Sequence, residues 1–270
     1  MPTAATQHRS QFLAPCLVLL FLAWPLRACA QSPATPAPGE APLNLSQLLE
    51  NLFQKNAERA EALQKYQGTR VYNLDYKGFP TSFHAEMTVD VTYDAPATKK
   101  FKIISQGGSQ WIIDKVLKRL LDAETEAMSD ENRSRIALTS RNYIFSELRY
   151  EDAADNCSYS VALEPRIPSK LLYRGRIWVD SRDFAVCRIE AEPSKNPSFW
   201  IKKTEIHHSY LKIADFWLPA KNESVSAVRG GGRAVLTIRY QSYEIQAVRP
   251  LKSSDAAQPS TSFSLPDHAN

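Results

Sequence analysis

The sequence predicts an α+β, mainly β fold: one antiparallel sheet of about ten strands, curved around a dry face, with two or three helices laid on it. Three observations carry this. From Leu171 to Gln246 the chain is a run of hairpins with no helix between them. YRGRIWVD (173–180), FAVCRIE (184–190), WIKKTEIHHSYLKI (200–213), FWLPAKNESVSAV (216–228) and AVLTIRYQSYEI (234–245) are broken by turns such as Ser181-Arg182-Asp183, Ala214-Asp215 and Gly230-Gly231-Gly232. β-Branched and aromatic runs separated by small polar clusters are the hairpin pattern. Upstream, Phe83, Ala85, Met87, Val89, Val91 and Tyr93 alternate with His84, Glu86, Thr88, Asp90 and Thr92 over 11 residues. One face of that strand is therefore dry and the other wet. It spans about 37 Å at roughly 3.4 Å per residue, nearly twice a usual strand, so a sheet of such strands must curl to cover its apolar side. Finally, two stretches carry apolar stripes at helical spacing.

In chain order, the first 30 residues read as an export signal. His8 and Arg9 begin it, Phe12 to Leu26 is apolar apart from Pro15 and Pro25, and Ala28-Cys29-Ala30 before Gln31 is a small-x-small cleavage site. A membrane anchor is the competing reading, but about 15 apolar residues fall short of the roughly 20 that a span needs. A lipid-anchored form at Cys29 is disfavoured by Arg27, which stands where such signals take a small or apolar residue. The expected organisation is a signal peptide over 1–30, a Pro- and Ala-rich disordered linker over 31–43, one domain over 44–249, and a disordered tail over 250–270. The expected location is the periplasm.

The domain opens with a helix from about Ser46 to Tyr66, its stripe running Leu48, Leu49, Leu52, Phe53, Ala57, Ala60 and Leu63. Asn44 or Ser46 can cap its start and Gln67-Gly68 can end it. RVYNLDY (70–76) is a strand with Tyr72, Leu74 and Tyr76 on one face, followed by a turn at Gly78-Phe79-Pro80 and the long alternating strand. Lys99 to Gln106, with Phe101, Ile103 and Ile104, is the third strand. A helix over 113–128 follows, with Ile113, Val116, Leu117, Leu120, Leu121 and Ala127 opposed by charged residues. Asp130-Glu131-Asn132 breaks it, and a short helix is expected within Arg133–Arg141. Tyr143–Tyr150 and Ser158–Glu164 return to strand before the hairpin run.

Charge excludes one class of partner. The chain holds 33 basic and 29 acidic residues. Arg9 and Arg27 leave with the signal, so the mature charge is near neutral, and nucleic acid is not indicated. Of four cysteines, Cys16 and Cys29 leave too. Cys157 and Cys187 remain, each placed in a strand. An even pair in an exported chain suggests a disulfide, with two separate buried thiols as the alternative. No nucleophile elbow, zinc-helix motif or phosphate loop is present. His84, Glu86 and Asp90 share a polar strand face that reads as solvated. His207 and His208 point to opposite sides of one strand. No catalytic role, metal or cofactor is expected.

Three segments resemble a known family: PATKKFKIISQGGSQWI (96–112), GRIWVDSRDFAVCRIE (175–190) and ADFWLPAKNES (214–224). They are similar to the Pro-to-Phe strand and Gly-x-x-Trp turn, the Val-Asp hairpin, and the Gly-x-x-x-Pro strand entry of LolA-like outer-membrane lipoprotein-sorting proteins. Where the family has that Gly, this chain has Ala214-Asp215. The likeness spans roughly 44–246. It implies an unclosed β-barrel of about 11 strands whose helices form a lid over an apolar cavity that shields lipid or lipoprotein acyl chains. It implies partners too: an inner-membrane transporter that loads the carrier and an outer-membrane receptor that unloads it. The same scaffold serves regulatory modules of the RseB type, which bind a membrane protein. On this reading the lid is the 113–128 helix. The candidate cavity residues are Tyr72, Leu74, Met87, Val89, Val91, Phe101, Ile103, Trp111, Leu117, Leu120 and Trp178.

Overall fold

The computed structural model describes residues 42–247 and 261–264. The expected signal peptide, the linker up to residue 41 and most of the tail lie outside the described residues. Helix α1 (Leu45–Ala62) leads into β1 (Leu63–Gly78), β2 (Phe83–Asp94) and β3 (Thr98–Gly108). One continuous helical segment follows: α2 (Gln110–Ile112), a π-helical turn (Ile113–Leu117) and α3 (Lys118–Ala127). After α4 (Asp130–Ile136) come β4 (Tyr143–Tyr150), β5 (Tyr159–Pro165), β6 (Tyr173–Val179), β7 (Val186–Pro193), β8 (Ile201–Ile213), β9 (Phe216–Val228) and β10 (Gly232–Ala247), then β11 (Thr261–Ser264).

The sheet runs β3-β2-β1-β10-β9-β8-β7-β6-β5-β4, with antiparallel pairing throughout and β11 beside β10. It is an unclosed antiparallel sheet whose edges are β3 and β4, and the helices α2 to α4 form the connection between those two edges. Register follows the dry face: Tyr72 opposes Met87 and Leu74 opposes Ala85, so apolar side chains of neighbouring strands meet.

Asn44 is the α1 cap. Its Oδ1 accepts from Gln47 N at 3.0 Å, while Gln47 Oε1 accepts from Asn44 N at 3.0 Å, a reciprocal capping box. Asn44→Ala is expected to cost about 0.5–2 kcal/mol, read as a lowered midpoint in thermal denaturation. Helix α1 stops at Ala62 rather than at Tyr66. From Leu63 the backbone pairs with β10 and from Lys65 also with β2, and a ladder on both sides overrides the helical spacing of the side chains. The helix is interrupted near Asp130-Glu131, α3 ending at Ala127, and the cluster itself forms the first turn of α4. Ser129 accepts from Asn132 N, and two acids in the first turn suit the positive helix end.

Two apolar cores share the helix-bearing face. In the first, Ile112, Ile113, Leu117 and Leu121 pack on Tyr72, Met87, Val89, Val91, Tyr240 and Tyr243. In the second, Leu48 and Leu52 of α1 pack on Tyr143, Tyr159, Val161, Leu163, Ile177 and Val179. Cys157 and Cys187 form a disulfide with Cα atoms 6.2 Å apart. Cys187 is on β7, but Cys157 lies in the connection before β5, where its N–H donates to Asp155 Oδ1 at 3.1 Å in an Asx-type contact. Residues 261–264, read as tail, pair with Ser242–Ile245. β9 leaves β10 beyond the Lys221–Arg239 pair, and the backbone groups thus freed take a partner regardless of side-chain pattern. Ala214 has φ +52°, the left-handed region that favours glycine.

Candidate functional site

The helical insertion is pinned to the sheet by a buried ionic cluster. Arg70 on β1 is 3% exposed. Its guanidinium donates to both Glu124 carboxylate oxygens of α3, at 2.9 and 3.1 Å, and Lys99 Nζ of β3 donates to the same carboxylate at 2.6 Å. The Arg70 guanidinium also lies 4.7 Å from the Tyr240 ring centroid and 5.8 Å from that of Phe101. Burial alone would raise the Glu124 carboxyl, but Arg70 and Lys99 outweigh it and hold it below its ordinary range. Arg70 was not legible as buried. It sits at an inward position of the alternation in RVYNLDY, and only its partner on a distant helix makes that position tolerable.

Between the two cores lies a hollow of about 350 Å³. One wall is the C-terminal half of α1, through Asn56, Arg59, Ala60 and the following Leu63. Ile136 and Leu138 form a second wall. The floor is sheet: Tyr143, Tyr173, Val186, Ile189, Tyr210, Phe216 and Leu218 among others. A local reason for the hollow is visible in α1. Its stripe runs from buried Leu48 and Leu52 to half-buried Phe53, then to exposed Ala57 and Ala60. Small side chains follow large ones, so the helix stops filling the space beneath it. The lip is fixed by Arg59, which donates to Asp183 O at 2.8 Å, Phe184 O at 3.0 Å and Asn56 Oδ1 at 2.8 Å. Asp183 in turn accepts from Trp217 Nε1 at 2.9 Å and pairs with Lys212 at 2.7 Å.

The expected cavity residues are distributed differently. Tyr72, Leu74, Met87, Val89, Val91 and Leu117 are brought together, with Phe101 and Leu120 partly buried against them, as the packed core beneath the insertion. Ile103 and Trp111 are exposed, Trp111 by 66%. Trp178 falls on the opposite face of the sheet from Ile177 and Val179. It lies under the Arg188 guanidinium, 4.0 Å from the ring centroid, beside a hollow of about 530 Å³ that the disulfide borders. None of them lines the hollow between the cores. The hollow's own residues come from α1, the start of β1, α4 and the loop after it, β4 and β6 to β9, which no local pattern links. The fading of the α1 stripe into alanine is the signal that was available.

Other polar groups stand on the strands. His208 packs edge-on to Tyr173, centroids 6.0 Å apart, and burial, with His207 adding, depresses its pKa to about 4. His207 points the other way and pairs across strands with Glu223 and Glu190. His84 contacts Asp75 at 2.9 Å, and Asp90 accepts from Thr69 at 2.9 Å. Among the described residues no group of three or more His, Cys, Asp or Glu is arranged to hold a metal ion.

No protein-family model matches the chain, and no curated protein does. Among solved structures, the chain is similar to an outer-membrane lipoprotein-sorting protein domain of Vibrio parahaemolyticus, with 14% identity, 73% of this chain and 94% of that one covered, and a TM-score of 0.33. It is similar to a LolA-superfamily protein of Nitrosomonas europaea, with 12% identity, 78% and 96% covered, and a TM-score of 0.30. It is similar to the MucA/MucB complex of Pseudomonas aeruginosa, with 9% identity, 71% and 93% covered, and a TM-score of 0.23. At these values the likenesses decide nothing about what the chain binds.

Proposed function

We propose that this chain is an exported carrier that binds an acyl chain of a lipid or lipoprotein in the hollow between α1 and the sheet, with no catalysis of its own. The supporting observation is the hollow itself: about 350 Å³, walled by apolar and aromatic side chains from α1, α4 and the sheet. That volume lies within the roughly 300–1,000 Å³ usual for small-molecule sites. Each buried methylene contributes about 0.8 kcal/mol, so a long chain held completely would not be released. Helices that already occupy much of the dry face leave room for only part of a chain and so moderate the gain. A transporter that loads the carrier and a receptor that unloads it are the partners this role requires.

A fluorescent fatty-acyl probe is expected to bind the purified protein. Ala60→Trp, which fills the hollow from an exposed helix position, is expected to weaken binding at least about tenfold, or roughly 1.4 kcal/mol, without lowering the unfolding midpoint. Trp111→Ala, remote from the hollow, is expected to bind as the unaltered chain does. Absence of probe binding, or unchanged binding by Ala60→Trp, defeats the carrier reading. Stoichiometric recovery of one membrane protein without lipid then favours the regulatory module.

A further inference from the structure

We infer that one end of the sheet is a docking face for an anionic lipid bilayer, whatever fills the hollow. Because the sheet is a meander, its loops alternate between two ends. The pairs Gly78–Gly232, Ala85–Gly108, Val228–Ile201, Tyr173–Pro193 and Tyr143–Pro165 place loops 79–82, 137–142, 166–172, 194–200 and 229–231, with the start of α2, at the same end. They line up there in the order of the strands.

This end carries side chains that a soluble surface does not need. Phe79 is 88% exposed, and Phe83 and Trp111 are exposed beside it. Phe199 and Trp200, 72% and 65% exposed, stack edge-to-face with centroids 5.6 Å apart, and the Arg229 guanidinium lies 4.6 Å from the Phe199 ring centroid. Ile167 and Leu171 complete the row. Seven of the eleven large apolar side chains that stand exposed among the described residues are therefore at one end, which is a patch and not random scatter.

The charges agree. The five loops at this end contain Arg141, Arg166, Lys170, Lys195 and Arg229 and no carboxylate, and Lys77 and Arg233 flank them. Glu164 and Glu192 flank them at the same distance, Glu192 paired with Arg174, and Asp75, paired with His84, stands further down its strand. At the other end, loops 95–97, 128–129, 151–158, 180–185 and 214–215 hold Glu151, Asp152, Asp155, Asp180, Asp183 and Asp215 against one cation, Arg182. A nearly neutral chain is thus polarised from end to end. Exposed Trp and Phe among cations match the headgroup level of a bilayer, and cations without acids match an anionic leaflet. A protein surface of mixed charge would favour acids among the cations. No helix among the described residues is long and apolar enough to span a membrane, and the contact proposed is one of lying on the surface.

The test is co-sedimentation of the purified full chain with sucrose-loaded vesicles of phosphatidylcholine alone or mixed with phosphatidylglycerol. Binding to the anionic vesicles is expected to exceed binding to the neutral ones at least about tenfold and to weaken with salt. Phe199→Ser with Trp200→Ser, and separately Lys195→Glu with Arg229→Glu, are each expected to reduce it about tenfold. These positions are exposed, and circular dichroism checks that the fold is retained. Asp152→Asn with Asp155→Asn, at the opposite end, is expected to bind as the unaltered chain. Ala60→Trp is expected to bind vesicles normally. Equal binding to both vesicle types, full binding by either rim double variant, or loss of binding in Ala60→Trp overturns the docking face; the last would mean that vesicles report lipid uptake into the hollow.

Discussion

Glu124→Gln is expected to lower the unfolding free energy by about 3 kcal/mol, the low end of what breaking a buried ion pair costs. The low end applies because the Glu124 side chain keeps 32% of its surface exposed. The loss comes from what remains: Arg70, 4% exposed at its side chain, and Lys99, at 12%, would face each other without a counterion. A domain of this size loses roughly 2–4 °C of midpoint per kcal/mol, so the midpoint falls by about 6–12 °C. Replacing both ions, as in Arg70→Leu with Glu124→Leu, is expected to cost less than the single change. Amide exchange across α3 is expected to accelerate more than exchange across α1, since only α3 loses its anchor. Equal stability of Glu124→Gln and the parent would remove the insertion's electrostatic anchor.

Acid titration separates this cluster from His208. The His208 pKa is depressed from 6.5 to about 4, so its contribution is complete above 6.5 and is lost as pH falls from 6.5 toward 4. Glu124 is held below its ordinary 4.5, so its contribution is complete above 4.5 and is lost only as pH falls further. Glu124→Gln is therefore expected to flatten the stability profile below 4.5 and leave the upper limb unchanged.

The second large effect is expected from Cys157→Ser with Cys187→Ser. The bridge closes a loop of 30 residues, for which the chain-entropy model gives about 3.6 kcal/mol. That loop contains β5 and β6, which carry Val161, Leu163, Ile177 and Val179 of the α1 core. The double variant should lose about 7–14 °C of midpoint. A reductant should bring the parent to the same value, and a parent midpoint indifferent to reductant would show that the bridge does not stabilise the domain.

Strand positions were legible wherever alternation was clean. The stretch from Phe83 to Tyr93 forms β2 as its alternation predicts, with Ala85, Met87, Val89 and Val91 buried, because a half-buried strand must repeat every two residues. The end of α1 was not legible, since Leu63 and Tyr66 fit a helix face and a strand face alike. The helix over 113–128 formed a turn early, at Gln110, with a π-helical turn inside it. Its stripe nonetheless chose the surface it buries. The hollow was illegible as a set of residues, because Ala60, Leu138, Tyr173 and Leu218 are neighbours only after the sheet has curved.

By itself, the sequence determined the fold class, the strand order within each hairpin, and which faces are dry, all consequences of periodicity and turn chemistry acting over a few residues. Only the tertiary structure decided three matters: that β10 returns to pair with β1, that Arg70 meets Glu124, and that residues of α1, α4 and distant strands come together around one hollow. These depend on contacts between residues far apart in the chain, where packing and the pairing of buried charge set the outcome and local pattern carries no information about the partner.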